Sequence, residues 1–441
     1  MKRFSKFLFA TAFLFPLSCL HAAESDLQSS IAKDYQSNLA NIFDQFHRNP
    51  ELSLMEVKTA AKLAQELRDA GFQVTEGVGK TGLVAILKNG PGPLVMMRSD
   101  MDGLPVEEKS GLPNASKVRM KDPNGIDVPV AHACGHDVHM TSLIGTAHQM
   151  AARRNQWSGT LMLIGQPAEE RVLGAKDMMQ DNLWKRFGKP DYALALHVIA
   201  GLEAGKIVVE EAPWSGVDTL QIIVHGVGSH GAAPSIGKDP IVLGAQIVLA
   251  LQEIISRERN PYEPAVITVG AFHAGTKANI IGDVATLDVT VRSEDADTRK
   301  MLLKSITRVT LNTARAYGIE EAMLPEIKTM DIPAQPTLND AVLRQRLISL
   351  WTEKLGSSIF STSYRKEGMG AEDFNNFTSD PYIPSVYYKV GGTLLADLIE
   401  AKKNGRRIPG NHSPLFKVDS EVAIKTSVQT TVIALMELLK K

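Results

Sequence analysis

Four short apolar runs, at residues 82–87, 94–97, 160–164 and 192–196, are separated by stretches of helical periodicity. Strands that alternate with helices form a mostly parallel sheet covered by helices, because a parallel pair needs a long crossover and a helix supplies it. Two amphipathic helices, over 27–47 and 56–70, precede this pattern. From Trp214 the order becomes strand 219–224, helix 240–257, strand 265–272, strand 285–291, helix 297–317 and a last strand near 323–327. That is the order of a ferredoxin-like split βαβ unit. Strand and helix patterning of the first kind resumes after Pro333, with a helix over 339–355 and an apolar strand near 385–390. The sequence therefore predicts an α/β domain at 24–213 and 330–441, interrupted at 214–329 by a smaller inserted α+β lid. A chain of 441 residues has room for both, since single cores stop growing at roughly 250–300 residues.

The first 23 residues place Lys2, Arg3 and Lys6 before an apolar run from Phe7 to Leu20, and small residues follow before Glu24. This is the layout of a secretory signal, with cleavage expected near Ala22 or Ala23 and a periplasmic or secreted mature protein. Lipid attachment at Cys19 is the minor alternative, since Pro16, Leu17 and Ser18 match such a site poorly. No later segment approaches the ~20 uninterrupted apolar residues of a membrane span. With 48 basic against 49 acidic residues, nothing attracts nucleic acid. Removal of the signal leaves Cys134 as the one cysteine, so an intrachain disulfide is excluded and the thiol is either a buried small hydrophobe or in use.

The candidate chemistry lies where strands end. The run 94–97 leads into Arg98, Ser99, Asp100, Met101 and Asp102; 160–164 leads towards Glu169 and Glu170; 193–196 leads into His197. Ligands of open α/β sheets bind outside the carboxyl ends of the strands, so these groups are expected at one edge of the sheet. Cys134 and His136, two residues apart across Gly135, can reach one ion, and Cys, His and carboxylate are the zinc ligand set. Asp137 is placed to cap the helix that follows, and His132, His139 and His148 read as satisfied polar residues beneath it. The adjacent Glu169 and Glu170 allow one carboxylate to bind metal while the other takes a proton from water.

In this order and at these separations, MRSDMDGLP (97–105), HACGHDVH (132–139), QPAEE (166–170), ALHV (195–198), GSHGAAP (228–234), KANIIGD (277–283), GMGAEDF (368–374) and NHSP (411–414) resemble one family. It is that of the dinuclear metal amidohydrolases, which includes aminoacylase, hippurate hydrolase and indoleacetyl-amino-acid hydrolase and is related to glutamate carboxypeptidase. The resemblance covers nearly the whole mature chain. It implies metal ligands at Cys134, His136, Glu170, His197 and His412, with Glu169 as general base and acid and Asp102 steering a ligand from behind. His412 is selected by the resemblance alone. Asp100 stands where more distant carboxypeptidase relatives carry a metal-binding histidine, so a ligand set built on Cys134 is implied. The resemblance also puts His230 at the scissile carbonyl, and Asn279 with Arg292 on the substrate carboxylate, which a guanidinium grips in bidentate fashion. It further implies two divalent ions per subunit (zinc, manganese or cobalt), an N-acyl amino acid or dipeptide as substrate, and a homodimer in which His230 reaches the partner's site.

The expected reaction is hydrolysis of the amide between an acyl group and an amino acid. A thiol hydrolase with Cys134 as nucleophile leaves Glu169 and Glu170 unexplained. A non-catalytic binder of metal or peptide would not need both of them. Trp214, near the presumed hinge, reads as packing of the domain junction.

Overall fold

The structure is a computed structural model that describes residues 17–330 and 333–441. Residues 1–16, the larger part of the expected signal segment, lie outside the described residues. Helix Leu17–Asp34 continues through a π-type turn, Tyr35–Leu39, into helix Ala40–Arg48.

One sheet of seven strands organises the larger part of the molecule. Its four central strands, Gly159–Gln166, Leu94–Asp100, Tyr192–Glu203 and Ser385–Thr393, lie side by side and parallel. Antiparallel strands complete both edges: Gly82–Asn89 and then Gln73–Val78 on one side, and Ile207–Val208 on the other. The central strands are apolar on both faces because helices cover both, as the burial of every residue of Ser385–Thr393 shows. One layer includes helices Val57–Asp69, His136–Ala152 and Ser420–Leu438, packed on Leu83, Leu161, Leu194 and Tyr388. The other face carries Met96, Met162, Ile164, Ala195 and Tyr387 against Met178, Phe374 and Phe377.

The second sheet is antiparallel, in the order Ala265–Ala274, Val284–Ser293, Gly216–His225, Glu326–Thr329. Numbered along the chain this is 2-3-1-4, the ferredoxin-like arrangement. Helices Pro240–Glu253 and Ala296–Tyr317 close one face over Leu220, Ile222, Leu287 and Val289. The strands alternate buried and half-exposed residues, the period of a sheet covered on one side. The helical stretch Pro240–Glu258 is long and apolar enough on average to meet the length and composition of a membrane span, although Gln246, Gln252 and Glu253 interrupt its apolar run. That apolarity has a structural use, since Leu243, Ile247, Leu251 and Ile254 fill the lid core. Single bridges, Trp214 to Thr337, Ser215 to Ala371 and Val217 to Ala334, join the lid to the larger sheet domain.

Candidate metal centre

Four ligand-bearing segments meet at the carboxyl ends of the parallel strands. Between Cys134 and His136 the chain takes a left-handed step at Gly135 (φ +89°), and helix His136–Ala152 starts there. Glu169 and Glu170 follow strand Gly159–Gln166, while His197 lies within Tyr192–Glu203. His412 arrives in a loop with φ +70°, its N–H donating to Ala133 O at 2.7 Å. Asn411 fastens that loop by donating to Cys134 O at 3.0 Å and Val198 O at 3.1 Å.

Cys134 Sγ is 3.3 Å from His197 Nε2 and 3.2 Å from His412 Nε2, and His412 Nε2 is 3.3 Å from Glu170 Oε2. His136 Nε2 stands 3.8 Å from both Glu169 Oε2 and Glu170 Oε1. Two triads contain the sulfur, Cys134 with His136 and His197, and Cys134 with Glu170 and His412, and a third joins His136 to Glu169 and Glu170, each with its ligand atoms within 4.8 Å of one another. The thiol sulfur is common to the first two, so Cys134 would help to hold either of two cations. Both ring nitrogens of His136 and Oε1 of Glu170 are buried without a hydrogen-bond partner among the described residues. Buried polar atoms are ordinarily paired, and orphaned imidazole and carboxylate atoms beside a buried thiol are the donor set of zinc-like ions. The residues present therefore fit divalent metal. His197 Nδ1 donates to Val198 O at 2.8 Å, which leaves the Nε2 lone pair facing the cluster.

Burial, and after it the carboxylates of Glu170, Glu169 and Asp100, pushes the Cys134 thiol well up from its ordinary range. Burial pulls the His136 imidazole down, but Asp100, Asp102 and Glu170 outweigh it and carry the ring up to about 10. His197 is driven well down, by burial and then by His139. Burial raises the Glu169 carboxyl, and Glu372 and Glu170 raise it further. Acidic groups thus crowd the ligand atoms and raise the thiol, the Glu169 carboxyl and the His136 ring, an environment that a bound cation would relieve.

The supporting groups are buried. Asp102 accepts from the amides of Glu169 (3.2 Å) and Glu170 (3.1 Å) and from Ser53 Oγ (2.6 Å), and its Oδ1 is 3.3 Å from His136 Nδ1. Asp100 is held by Arg98 Nη1 at 2.6 Å and by His139 Nδ1 at 2.6 Å. His139 is saturated, because its Nε2 accepts from Val198 N at 2.8 Å. His148 meets Asp34 at 2.9 Å. His132 is not satisfied as expected: both ring nitrogens are buried without a partner among the described residues, and burial takes the ring down to about 4. Nor is Asp137 the helix cap. Gly135 occupies the cap position, and Asp137 Oδ2 instead meets His47 Nδ1 at 2.6 Å.

Two supports escaped the sequence reading. Arg98, fully buried, ties Asp100 to Glu372 (2.7 Å) and Gln166 (2.8 Å), and Glu372 lies with Asp373 beside Glu169. Glu56 Oε1 accepts from Leu54 N and Ala168 N, both at 2.8 Å, and so holds the residue that precedes Glu169. Their signal was a charged residue next to apolar ones, Arg98 after the run 94–97 and Glu56 between Met55 and Val57.

The lid residues stand apart from this cluster. His230 and Asn279 are exposed neighbours on a short antiparallel pair, with Gly231 N donating to Asn279 O at 2.9 Å. Arg292 is half-buried, and its one hydrogen bond among the described residues is to Thr290 Oγ1, at 3.2 Å. No hydrogen bond or ion pair joins these three to the Cys134 cluster among the described residues.

A helix-covered sheet with an inserted ferredoxin-like lid, and thiol, imidazole and paired carboxylates at the strand ends, define a metal-dependent hydrolase. The model of Peptidase family M20/M25/M40 matches residues 96–402, and the chain belongs to this family. It is 39% identical over 289 residues to the hippurate hydrolase of Campylobacter jejuni, covering 65% of this chain and 72% of that one. It is 34% identical over 395 residues to thermostable carboxypeptidase 2 of Saccharolobus solfataricus, covering 88% of this chain and 93% of the other. Among solved structures, the Bacillus subtilis YXEP protein, a dinuclear metal-binding peptidase of the M20 family, superposes with a TM-score of 0.73 at 28% identity, over 92% of this chain and 99% of that one.

Proposed function

We propose that this protein hydrolyses the amide bond of N-acyl amino acids, releasing a carboxylic acid and a free amino acid, with two divalent ions held by Cys134, His136, Glu170, His197 and His412. The observation that carries the reading is the pair of triads sharing one buried sulfur, with a further carboxylate, Glu169, grouped with His136 and Glu170 beside them. When bound, such ions acidify water and polarise a carbonyl oxygen. Glu169, raised by burial and by Glu372, is placed to take a proton from water and return it to the leaving nitrogen. Asp102 fixes both glutamate amides and faces His136, which orients base and ligand together. Arg292 is a half-buried guanidinium without a carboxylate partner among the described residues, the state expected of a group that receives the substrate carboxylate with Asn279. Cys134 as nucleophile is disfavoured, because its surroundings raise the thiol rather than ionise it.

The dimer belongs to the same reading. Helix Pro240–Glu253 exposes Ile241, Val242 and Leu249, and the neighbouring sheet ends in strand Ala265–Ala274, whose Val266 and Phe272 are exposed. An apolar helix face beside an open strand edge favours a second copy, which would carry the exposed His230 to the partner's scissile carbonyl. The amino-terminal 23 residues support export to the periplasm or beyond. A carboxypeptidase or dipeptidase activity is the second reading, favoured by the likeness to the Saccharolobus carboxypeptidase along nearly the whole chain.

The test is amino-acid release from N-acetyl and N-benzoyl amino acids and dipeptides, after chelation and then with Zn²⁺, Mn²⁺ or Co²⁺ supplied singly. Release that vanishes on chelation and returns with metal supports the reading, and the preferred member names the acyl class. Turnover that survives complete stripping overturns it.

A further inference from the structure

A second group of buried polar side chains adjoins the metal centre and has no part in the chemistry above. Lys389 on strand Ser385–Thr393 is in register with His197 on its parallel neighbour, so both side chains leave the same face of the sheet. The Trp214 ring lies against both, its centroid 5.1 Å from that of His197 and 5.0 Å from Lys389 Nζ. The Tyr364 ring is 5.5 Å from the same ammonium.

Lys389 is 2% exposed, and its ammonium has a single acceptor among the described residues, the Glu210 carboxylate. An ammonium has three hydrogens to donate, so two remain without an oxygen. The facing rings stabilise its charge but are poor acceptors. The Trp214 indole N–H is likewise buried and without a partner. Charge is already balanced here: Glu210 meets Lys389, and Glu294 meets Lys366 at 2.5 Å, with Ala212 O at 3.0 Å from the same ammonium. What is missing is acceptor oxygen. Buried donors left unpaired carry a desolvation penalty, which a bound ligand relieves if it brings the oxygen.

We propose that Lys389 and Trp214 form a subsite for the far end of the acyl group, selecting acyl chains that end in an acceptor oxygen over those that end in hydrocarbon. The proposal rests on the reading that the Cys134 cluster is where an N-acyl amino acid is cleaved. Arg292 and Asn279 on the lid serve the amino-acid carboxylate in that reading, which leaves the floor beside His197 to the acyl part. A dicarboxylic acid joined through one carboxyl, or its terminal amide, has the required chemistry.

Three substrates of one amino acid decide it: N-butyryl, N-succinamyl and N-succinyl, which share a four-carbon chain and differ at its end. The oxygen-bearing pair is expected to exceed the butyryl compound in kcat/KM by about tenfold or more, the discrimination of a hydrogen bond to a charged or buried donor. Lys389→Met and Trp214→Phe should each shrink that ratio, a change that merely structural residues would not produce. Succinyl above succinamyl shows that the ammonium reads charge, and parity shows that an acceptor suffices; either supports the subsite. Should Lys389→Met not fold, Trp214→Phe, which keeps an aromatic ring and removes the N–H, carries the test alongside inhibition of the wild-type enzyme by free succinate against butyrate. Equal rates for all three substrates, equal inhibition by the two acids, or a ratio unmoved in Trp214→Phe overturns the proposal. If no N-acyl amino acid is cleaved with any metal, the hydrolase reading fails first and takes this one with it.

Discussion

Replacing Gly135 by alanine tests whether the left-handed step between Cys134 and His136 builds the metal centre. At φ +89° an L-residue costs roughly 1–2 kcal/mol, because its Cβ crowds the following carbonyl. A Cβ there would also lie 2.4 Å from Val198 Cγ1 and 3.4 Å from Phe416 Cζ. Forcing extra volume into a packed interior adds about 1–3 kcal/mol. The two effects together predict a loss of roughly 2–5 kcal/mol of stability. Val198 cannot yield freely. Its carbonyl accepts from His197 Nδ1 and Asn411 Nδ2, and its N–H donates to His139. Displacing it turns His197 and loosens the His412 loop, so metal affinity should fall with stability. The measurements are the urea midpoint of metal-free protein, and metal affinity by competition with a chromophoric chelator, for Gly135→Ala, Val198→Ala and the double variant. The double variant removes the Cγ1 collision, so the cycle should show a favourable coupling of about 1–3 kcal/mol while the cost of the left-handed alanine remains. A Gly135→Ala protein within about 0.5 kcal/mol of wild type, with unchanged affinity, would refute the reasoning.

Glu169→Gln should lower kcat by several orders of magnitude while metal content, measured by elemental analysis, stays near that of the wild type; near-normal turnover would remove Glu169 from proton transfer. His47 is pulled down by burial but carried up to about 10 by Asp137 and Glu108. Its charged pairs therefore contribute fully below its unfolded value of 6.5, and that contribution is lost as pH rises towards 10. The stability gap between wild type and His47→Gln should be widest at pH 6 and close by pH 10, and a gap that widens with pH would contradict the assignment. Arg98→Met leaves Asp100 and Glu372 without their shared cation and should cost about 3–5 kcal/mol; thermal melts indistinguishable from wild type would show that water or protons compensate. Arg292→Lys, which loses the planar fork, should raise KM by about tenfold or more with a smaller change in kcat, as read from Michaelis curves on the best substrate.

The strands that sequence patterning locates are those whose surroundings leave one reading. Leu94–Asp100 and Tyr192–Glu203 are apolar because both faces are covered, and the lid strands alternate because one face is. Gln73–Val78 escapes because this edge strand is largely exposed and carries no period. Helix Ser420–Leu438 escapes for the opposite reason. It is buried nearly all round and rich in threonine and valine, so no polar stripe marks its helical period. At the site, Cys134, His136, the Glu169–Glu170 pair and His197 are legible because ligand types gather at strand ends. His412 is not, since nothing local marks a loop histidine whose position depends on Asn411 and Ala133. The cap assigned to Asp137 fails on a partner 90 residues away, His47, and the Arg98–Glu372 pair spans 274 residues. Such pairings are properties of the folded chain and leave no periodic trace.

Of the left-handed non-glycine residues among the described residues, Lys80 and Asn182 lie elsewhere, and the others lie around the candidate ligands. Ala168 (φ +49°), Val172 (φ +55°) and His412 (φ +70°) are left-handed without being glycine, and Leu54 (φ +66°) joins them through a shared acceptor. Each such residue costs roughly 1–3 kcal/mol, most for a β-branched side chain like that of Val172, and persists only where its surroundings leave no alternative. Those surroundings can be named. Glu56 Oε1 accepts from Leu54 N and Ala168 N, its Oε2 accepts from Thr81 Oγ1 at 2.5 Å, and Val172 N donates to Glu169 O at 2.7 Å. A fully buried carboxylate with no cation, raised to about 7 by burial and then by Asp102, is a costly way to satisfy three donors. A serine or a main-chain carbonyl would satisfy one of them at lower cost. Only a two-oxygen acceptor reaches the Leu54 turn, the Thr81 loop and the Ala168 corner at once. That single tie holds the corner from which Glu169 and Glu170 diverge, one towards Glu372 and the other towards His412. The separation of two adjacent glutamates into different surroundings, on which their different proposed roles depend, thus rests on a third glutamate that touches neither metal triad.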